Sequence, residues 1–236
     1  MSPFQFKQFT IHQDRCAMKV GTDGVLLGAW AGITHNPQTI LDIGTGTGLI
    51  ALQLAQRSSA HTVDAVEFED SAYEQCVENF EASPWADRLF CYHASFQIFA
   101  EEMEEQYDLI VSNPPYFNTK AASGDPARDL ARQHHMLPFT DLLQGAAHLL
   151  SPEGQFATII PTEAEAAFTN IAQNLGLYAQ AITKVRGTPT APVKRSLLQL
   201  ASSPITPIIN ELVLEEERHV YTAAYRTLTQ DFYLKM

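Results

Sequence analysis

Positive charge is scarce in this sequence: 15 lysines and arginines stand against 27 aspartates and glutamates, a formal net charge of −12 over 236 residues. Proteins that coat nucleic acid without specificity rely on a broad basic surface that displaces counterions from phosphates, and this composition argues against that mode of binding. It still permits a local basic patch. Cysteine is scarcer still. Cys16, Cys76 and Cys91 are odd in number, far apart and never at CxxC spacing, which points to free thiols in a reducing cytoplasm. No apolar run approaches the roughly 20 residues of a membrane span. The opening Met1-Ser2-Pro3-Phe4-Gln5-Phe6-Lys7 lacks the charged-then-apolar pattern of a signal peptide. Internal repeats and low-complexity stretches are missing as well. What remains, with 45% hydrophobic residues, is enough for one well-filled α/β domain.

The segment Asn113-Pro114-Pro115-Tyr116 organises the rest. It follows Tyr107-Asp108-Leu109-Ile110-Val111-Ser112, a short apolar run that reads as a buried parallel strand. Loops that follow such strands lie at the carboxyl edge of the sheet, where open α/β sheets bind ligands. The four residues suit the task of holding a planar amino group. The Asn113 side-chain oxygen accepts one hydrogen, and the Pro114 carbonyl, held by two successive prolines of fixed φ, accepts the other. The Tyr116 ring offers a stacking face to the attached heterocycle. Two aligned acceptors draw the nitrogen lone pair out of conjugation, so that it can attack an electrophilic methyl group. The plainer reading is an ordinary turn, since Asn-Pro and Pro-Pro both end strands.

Upstream, Phe4, Phe6, Phe9 and Ile11 partly alternate with polar residues and predict a strand or hairpin over something apolar. Gly21-Thr22-Asp23-Gly24 then precedes an apolar run. Thr22 or Asp23 is a good N-cap for a short buried helix, and backbone N–H groups there could meet a carboxylate. Residues 39–43 read as a strand, Gly44-Thr45-Gly46-Thr47-Gly48 as a tight turn, and the residues from Leu49 as a helix. Strand, glycine turn and helix N-terminus form a nucleotide cradle. A dinucleotide fingerprint needs a third glycine where Leu49 stands, so NAD is disfavoured. The observed D-x-G-x-G-x-G, with Asp42 ordering the loop or meeting an ammonium group, fits S-adenosylmethionine better.

A second strand, 62–67, ends in Glu67, placed to hydrogen-bond both hydroxyls of a ribose. Glu69 and Asp70 suit the first turn of the next helix instead. The third strand, 89–92, is followed by Ser95, the polar candidate for an adenine pocket, while His93 reads as structural. Glu101, Glu102, Glu104 and Glu105 read as the solvated face of a short helix. Residues 117–136 form a loop long enough to be a lid or binding loop, with Phe117 as a candidate substrate contact and Arg128, Arg132, His134 and His135 able to face phosphates. The pair His134-His135 has no partner at ligand spacing, and no metal site is expected. A helix over 138–150, a fifth strand over 155–160 and a helix over 163–175 follow. Strands at 177–185 and 196–201 then form a hairpin that gathers Lys184, Arg186, Lys194 and Arg195, the densest positive cluster, near the active edge or just beyond it, where the four either contact substrate phosphates or are scattered surface charge. The tail from 208 should pack back onto the sheet.

Taken together, these motifs resemble the class I S-adenosylmethionine-dependent amino-methyltransferases. The opening Phe6-Lys7-Gln8-Phe9-Thr10-Ile11, the run Cys16-Ala17-Met18-Lys19-Val20-Gly21-Thr22-Asp23-Gly24 and the closing Asp231-Phe232-Tyr233-Leu234-Lys235 are more specific. They resemble the bacterial tRNA1(Val) adenine-N6 methyltransferases, and the similarity runs from about Phe4 to the C-terminus. The resemblance implies a Rossmann-like, mostly parallel seven-stranded sheet with helices on both faces and an antiparallel C-terminal hairpin. It also implies one methyltransferase domain, with residues 1–38 as a cap and cofactor-lid segment and 39–236 as the catalytic core. Its substrate would be the adenosine 3′ of the anticodon in a valine tRNA, methylated on N6. Carried over by motif, Asn113, Pro114 and Tyr116 hold the base. Asp42, Gly44, Gly46, Gly48 and Glu67 hold the cofactor, with Thr22 and Asp23 near its methionine part and Asn113 beside it. Family members commonly place an acid where Ser95 stands, which leaves the adenine contact open. Membrane partners are not expected, and the oligomeric state is open, with a monomer the default.

The nearest rival is a protein glutamine methyltransferase, whose substrate amide has the same NH2 geometry. Those enzymes usually carry a helical domain before the glycine turn, and residues 1–38 do not read as one. A DNA adenine methyltransferase would want a substantial target-recognition region. A non-catalytic cofactor-binding RNA module is disfavoured by the intact Asn113, Pro114 and Tyr116.

Overall fold

Four short runs of branched and apolar residues, β3 (Thr39–Ile43), β4 (Thr62–Glu67), β5 (Leu89–His93) and β6 (Tyr107–Ser112), pair in parallel in the spatial order β5-β4-β3-β6. The computed structural model that shows this describes residues 2–115 and 137–235. Beyond β6 the sheet continues through β7 (Leu150–Pro161), β9 (Val193–Ala201), β8 (Tyr178–Arg186) and β10 (Ile208–Val213). Only β9 runs against its neighbours. Seven of these eight strands are the expected ones, hairpin included. The eighth, β10, is the tail packing back onto the sheet, parallel to β8.

Side chains alternate between the faces of the strands, and two apolar cores result. Ile40, Leu109 and Val111 face one core with helices α1 (Thr22–Trp30), α2 (Leu49–Arg57) and α3 (Asp70–Glu81). Leu41, Ile43 and Ile110 face the other, with α4 (Phe96–Glu102), α5 (Phe139–Leu149) and α6 (Glu165–Asn174). Both faces are covered, as a mostly parallel sheet requires. No helix among the described residues is long and apolar enough to cross a membrane.

Local details depart from the sequence reading in three places. The N-cap of α1 is Gly21, without a side-chain cap, and Thr22 already opens the helix. Glu104 and Glu105 lie beyond α4, which stops at Glu102. Strand β7 begins at Leu150, directly at the end of α5, five residues before the expected start.

The two chain ends are tied together. Strands β1 (Phe4–Gln5) and β2 (Thr10–Ile11) pair antiparallel, Phe6 bridges to Tyr233, and the Lys7 N–H donates to the Phe232 carbonyl at 2.8 Å. The Phe6 ring stacks on Phe9 at 4.7 Å and meets Tyr233 at 5.8 Å. Helix α7 (Ala223–Thr229) packs on α1 behind this aromatic cluster. The residues that make the two ends distinctive in sequence are thus packing partners.

Candidate active site

The chain runs outward through β3, β4 and β5, then returns to β6 on the other side of β3. Strand ends diverge at such a switch point and leave a crevice at the carboxyl edge. A cavity of about 790 Å3 lies there. Its wall takes in the glycine turn, Glu67, Ser95, the first turn of α1, and Asn113, Pro114 and Pro115.

The turn between β3 and α2 needs its glycines. Gly44, Gly46 and Gly48 have φ of +67°, +59° and +82°, where side chains with a Cβ are strained. A Cβ at Gly44 or Gly46 would meet nothing within 4 Å and would stand in the cavity, so bare backbone is presented to whatever binds. At Gly48 a Cβ would lie 2.6 Å from Phe80 Cε1, which makes this glycine a packing residue behind the wall. Asp42 is likewise outside the wall. It is fully buried, and its Oδ2 accepts from Thr45 Oγ1 at 2.6 Å and from the Ala51 N–H at 3.2 Å. Of its two sequence readings, the structure bears out the ordering of the loop. Burial pushes this carboxyl up to about 7, against the pull of the Thr45 hydroxyl and the Ala51 N–H, and nearby Glu67 raises it further.

Glu67 closes β4 beside the turn. Its Oε2 accepts from the Gly46 N–H at 2.8 Å, and its Oε1 from the N–H groups of Phe68 and Glu69 at 2.9 and 3.0 Å. Among the described residues it is backbone N–H groups that hold this carboxylate, which lines the cavity. Glu69 caps α3 by accepting from the Ala72 N–H at 2.7 Å, as expected of an acid in that position. Ser95 reaches the wall and also N-caps α4 through Ile98 N at 3.4 Å. His93 Nε2 lies within donating distance of the Phe68 carbonyl (3.2 Å) and of Asp70 Oδ1 (2.9 Å), and the ring stacks on Tyr73, which supports its structural reading.

Asn113 and Pro114 emerge from β6 next to Gly44, because Ser112 Oγ donates to the Ile43 carbonyl at 3.0 Å and locks the two strand ends together. Asn113 is half-buried, Pro114 buried and Pro115 exposed. Tyr116, Phe117, Arg128, Arg132, His134 and His135 lie outside the described residues. Thr22 and Asp23 both reach the wall. Asp23 Oδ2 accepts from Arg195 Nε at 2.8 Å, and Arg195 lines the cavity too.

The rest of the positive cluster is partly spoken for. Lys184 pairs with Glu165, and Arg186 with Glu211, and neither cation reaches the wall. Lys194, next to Arg195 in β9, is exposed and is not a wall residue. Phe68 and Lys19 are among the wall residues that the sequence reading passed over. Phe68, half-exposed at 51% straight after the strand-end acid, presents a ring to the cavity, and its place one residue past Glu67 was the signal. Lys19 also reaches the wall, its ammonium donating to the carbonyls of Gln13 and Cys16.

The methyltransferase small domain model matches residues 26–185 of the chain. A tRNA1(Val) (adenine(37)-N6)-methyltransferase from Christiangramia forsetii is 57% identical over 99% of this chain and 98% of that one. Its namesake from Flavobacterium johnsoniae is 56% identical over 99% of this chain and all of that one. Among solved structures, a predicted O-methyltransferase from Agrobacterium tumefaciens superposes with a TM-score of 0.67 at 19% identity, covering 89% of this chain and 96% of that one. That last likeness is one of fold.

Proposed function

The chain belongs to the family of the tRNA1(Val) (adenine(37)-N6)-methyltransferases, and from that premise we propose that it transfers a methyl group from S-adenosylmethionine to N6 of an adenosine in a tRNA anticodon loop, the adenosine 3′ of the anticodon in a valine tRNA. The observation that carries the reading is the meeting of Asn113 and Pro114 with the glycine turn and Glu67 in one cavity. The wall fits the cofactor. Gly44 and Gly46 offer bare backbone, Glu67 a fixed carboxylate for the ribose hydroxyls, and the uncapped first turn of α1 backbone N–H groups for a carboxylate. Phe68 gives the adenine an apolar face, with Ser95 at its edge.

When bound, S-adenosylmethionine supplies an electrophilic methyl group on a sulfonium. The chain's own contribution is geometry and two acceptors. Asn113 Oδ1 and the Pro114 carbonyl take the two N6 hydrogens, which turns the lone pair out of the ring for in-line attack. The N6 proton leaves late, to Asn113 or water, so no strongly basic side chain is needed. An unstacked loop base costs less to present than a paired one. Arg195 on the wall and the exposed Lys194 next to it in sequence are the cations proposed to meet RNA phosphates, with Tyr116, Phe117, Arg128 and Arg132 assigned to the substrate from sequence.

The test is methyl transfer from labelled S-adenosylmethionine to total tRNA from a strain lacking this protein, followed by nucleoside mass spectrometry. N6-methyladenosine in a single tRNA is expected. Label on a release-factor-like protein, with RNA unlabelled, would overturn the substrate in favour of glutamine.

A further inference from the structure

Part of the cavity wall comes from outside the sheet and its helices. Cys16, Ala17, Met18, Lys19 and Gly21 belong to the irregular segment between β2 and α1, yet they line the same cavity as the glycine turn. Irregular backbone of this kind keeps its place only if its polar groups find partners.

Those partners are two amides on α3, Gln75 and Asn79, each 1% exposed. Gln75 Oε1 accepts from the Arg15 N–H at 3.1 Å. Asn79 does more. Its Oδ1 accepts from the His12 N–H at 2.8 Å, and its Nδ2 donates to the His12 carbonyl at 2.9 Å and to the Thr47 carbonyl at 2.8 Å. Thr47 lies in the glycine turn. One buried amide therefore spends its acceptor and both its donors on joining the two walls. On the surface, Arg15 adds ion pairs to Glu74 at 3.0 Å and to Glu78. Within the segment, Gln13 Oε1 accepts from the Val20 N–H at 2.9 Å.

We propose that Asn79 is a positioning residue for the cofactor, clamping the 12–21 segment to the glycine turn so that ordering one wall orders the other. The proposal rests on the reading that this cavity binds S-adenosylmethionine. Only an amide satisfies the arrangement. A carboxylate of the same shape would set acceptors against the carbonyls of His12 and Thr47, and an apolar side chain would leave buried backbone groups unpaired. Asn79 is not itself a wall residue, so its loss should weaken ligand binding without touching the reacting atoms.

The experiment compares the wild-type chain with Asn79→Asp and Asn79→Ser, using S-adenosylhomocysteine as the probe. Calorimetric titration should show its Kd raised at least tenfold in the variants, with kcat at saturating cofactor within about threefold of wild type, the split expected when binding is lost uniformly. Limited trypsin digestion gives a second reading. The probe should slow cleavage after Arg15 and Lys19 in the wild type and give little protection in the variants. Folded variants with wild-type Kd and wild-type protection would overturn the proposal alone. A wild type that fails to bind the probe would overturn the cofactor reading and this proposal with it. If neither variant folds, amide exchange in the wild type decides: the probe should slow the His12 amide together with those of 47–51, and slowing at 47–51 alone would overturn the clamp.

Discussion

Arg195 Nε donates to Asp23 Oδ2 at 2.8 Å and so joins the start of β9 to the first turn of α1, 172 residues away in the chain. Both side chains are about one-third exposed, which limits such a pair to roughly 1 kcal/mol of stability or less. Its consequence is placement: a cation held at the cavity wall, where we propose that it meets a nucleic-acid phosphate. Arg195→Gln should therefore leave the melting temperature within about 3 °C of wild type. It should weaken tRNA binding severalfold and lower the salt dependence of binding by about one counterion. Affinity measured across a salt series checks this, and an unchanged slope would remove Arg195 from the RNA surface.

Asn113→Ala removes one of the two acceptors proposed for the amino group. Deleting a single preorganised group of this kind costs on the order of 10²–10³ in kcat. Affinity for S-adenosylhomocysteine should stay within a few-fold, because Asn113 stands at the end of β6 and the cradle is built by the turn after β3. Single-turnover kinetics separates the two. Undiminished turnover by a folded Asn113→Ala chain would sink the assignment.

The glycine turn allows a paired test. Gly46 and Gly48 share positive φ, so an alanine at either pays roughly 1 kcal/mol in backbone strain. They differ in what a methyl group meets. At Gly46 it points into open cavity, and at Gly48 it runs into Phe80 and Cys76. Gly46→Ala should fold almost as well as wild type and lose most of its cofactor affinity. Gly48→Ala should lose 2 kcal/mol or more of stability, in the range of overpacked cores. Denaturant unfolding beside calorimetric binding distinguishes them, and equal effects at both positions would refute the division between cradle and packing.

What the sequence made legible was whatever depends on neighbours along the chain. Short apolar runs ending in Gly44, Glu67 or Asn113 give strand, turn and edge directly, because period and punctuation are local. Pairings between distant charges were not legible. Nothing near Lys184, Arg186 or Arg195 announces Glu165, Glu211 or Asp23, so a cluster that reads as free positive charge turns out to be partly neutralised. Asn79 and Gln75 were invisible for a related reason. A polar residue on a helix reads as solvent-facing unless the irregular backbone it serves is known. Strand β10 escaped because Ile208 and Ile209 are both exposed at the sheet edge, so no alternation marks the strand. Asp42 shows the limit of motif reading: an acid beside a glycine turn suits either ordering the loop or meeting a ligand, and the motif does not choose between them, whereas the bonds to Thr45 and Ala51 are those of a loop-ordering residue.

Asp64 gives a pH prediction away from the cavity. It is 2% exposed on β4, and its Oδ2 accepts from Tyr107 Oη at 2.7 Å. Burial pushes its carboxyl up to about 6, although the Tyr107 hydroxyl pulls the other way. A carboxyl raised in the folded state holds its proton there at pH values where the unfolded chain has lost it. Its contribution to stability is thus complete below about pH 4 and is lost as pH rises to about 6. Asp64→Asn keeps an acceptor for Tyr107 and has no proton to lose. The variant should therefore gain on the wild type as pH rises from 4 to 7, by up to about 2–3 kcal/mol, with no change in cofactor affinity at pH 7.5. Urea unfolding of both chains across that range measures the difference. A gap that stays flat with pH would mean that Asp64 titrates in the folded chain as it does in the unfolded one.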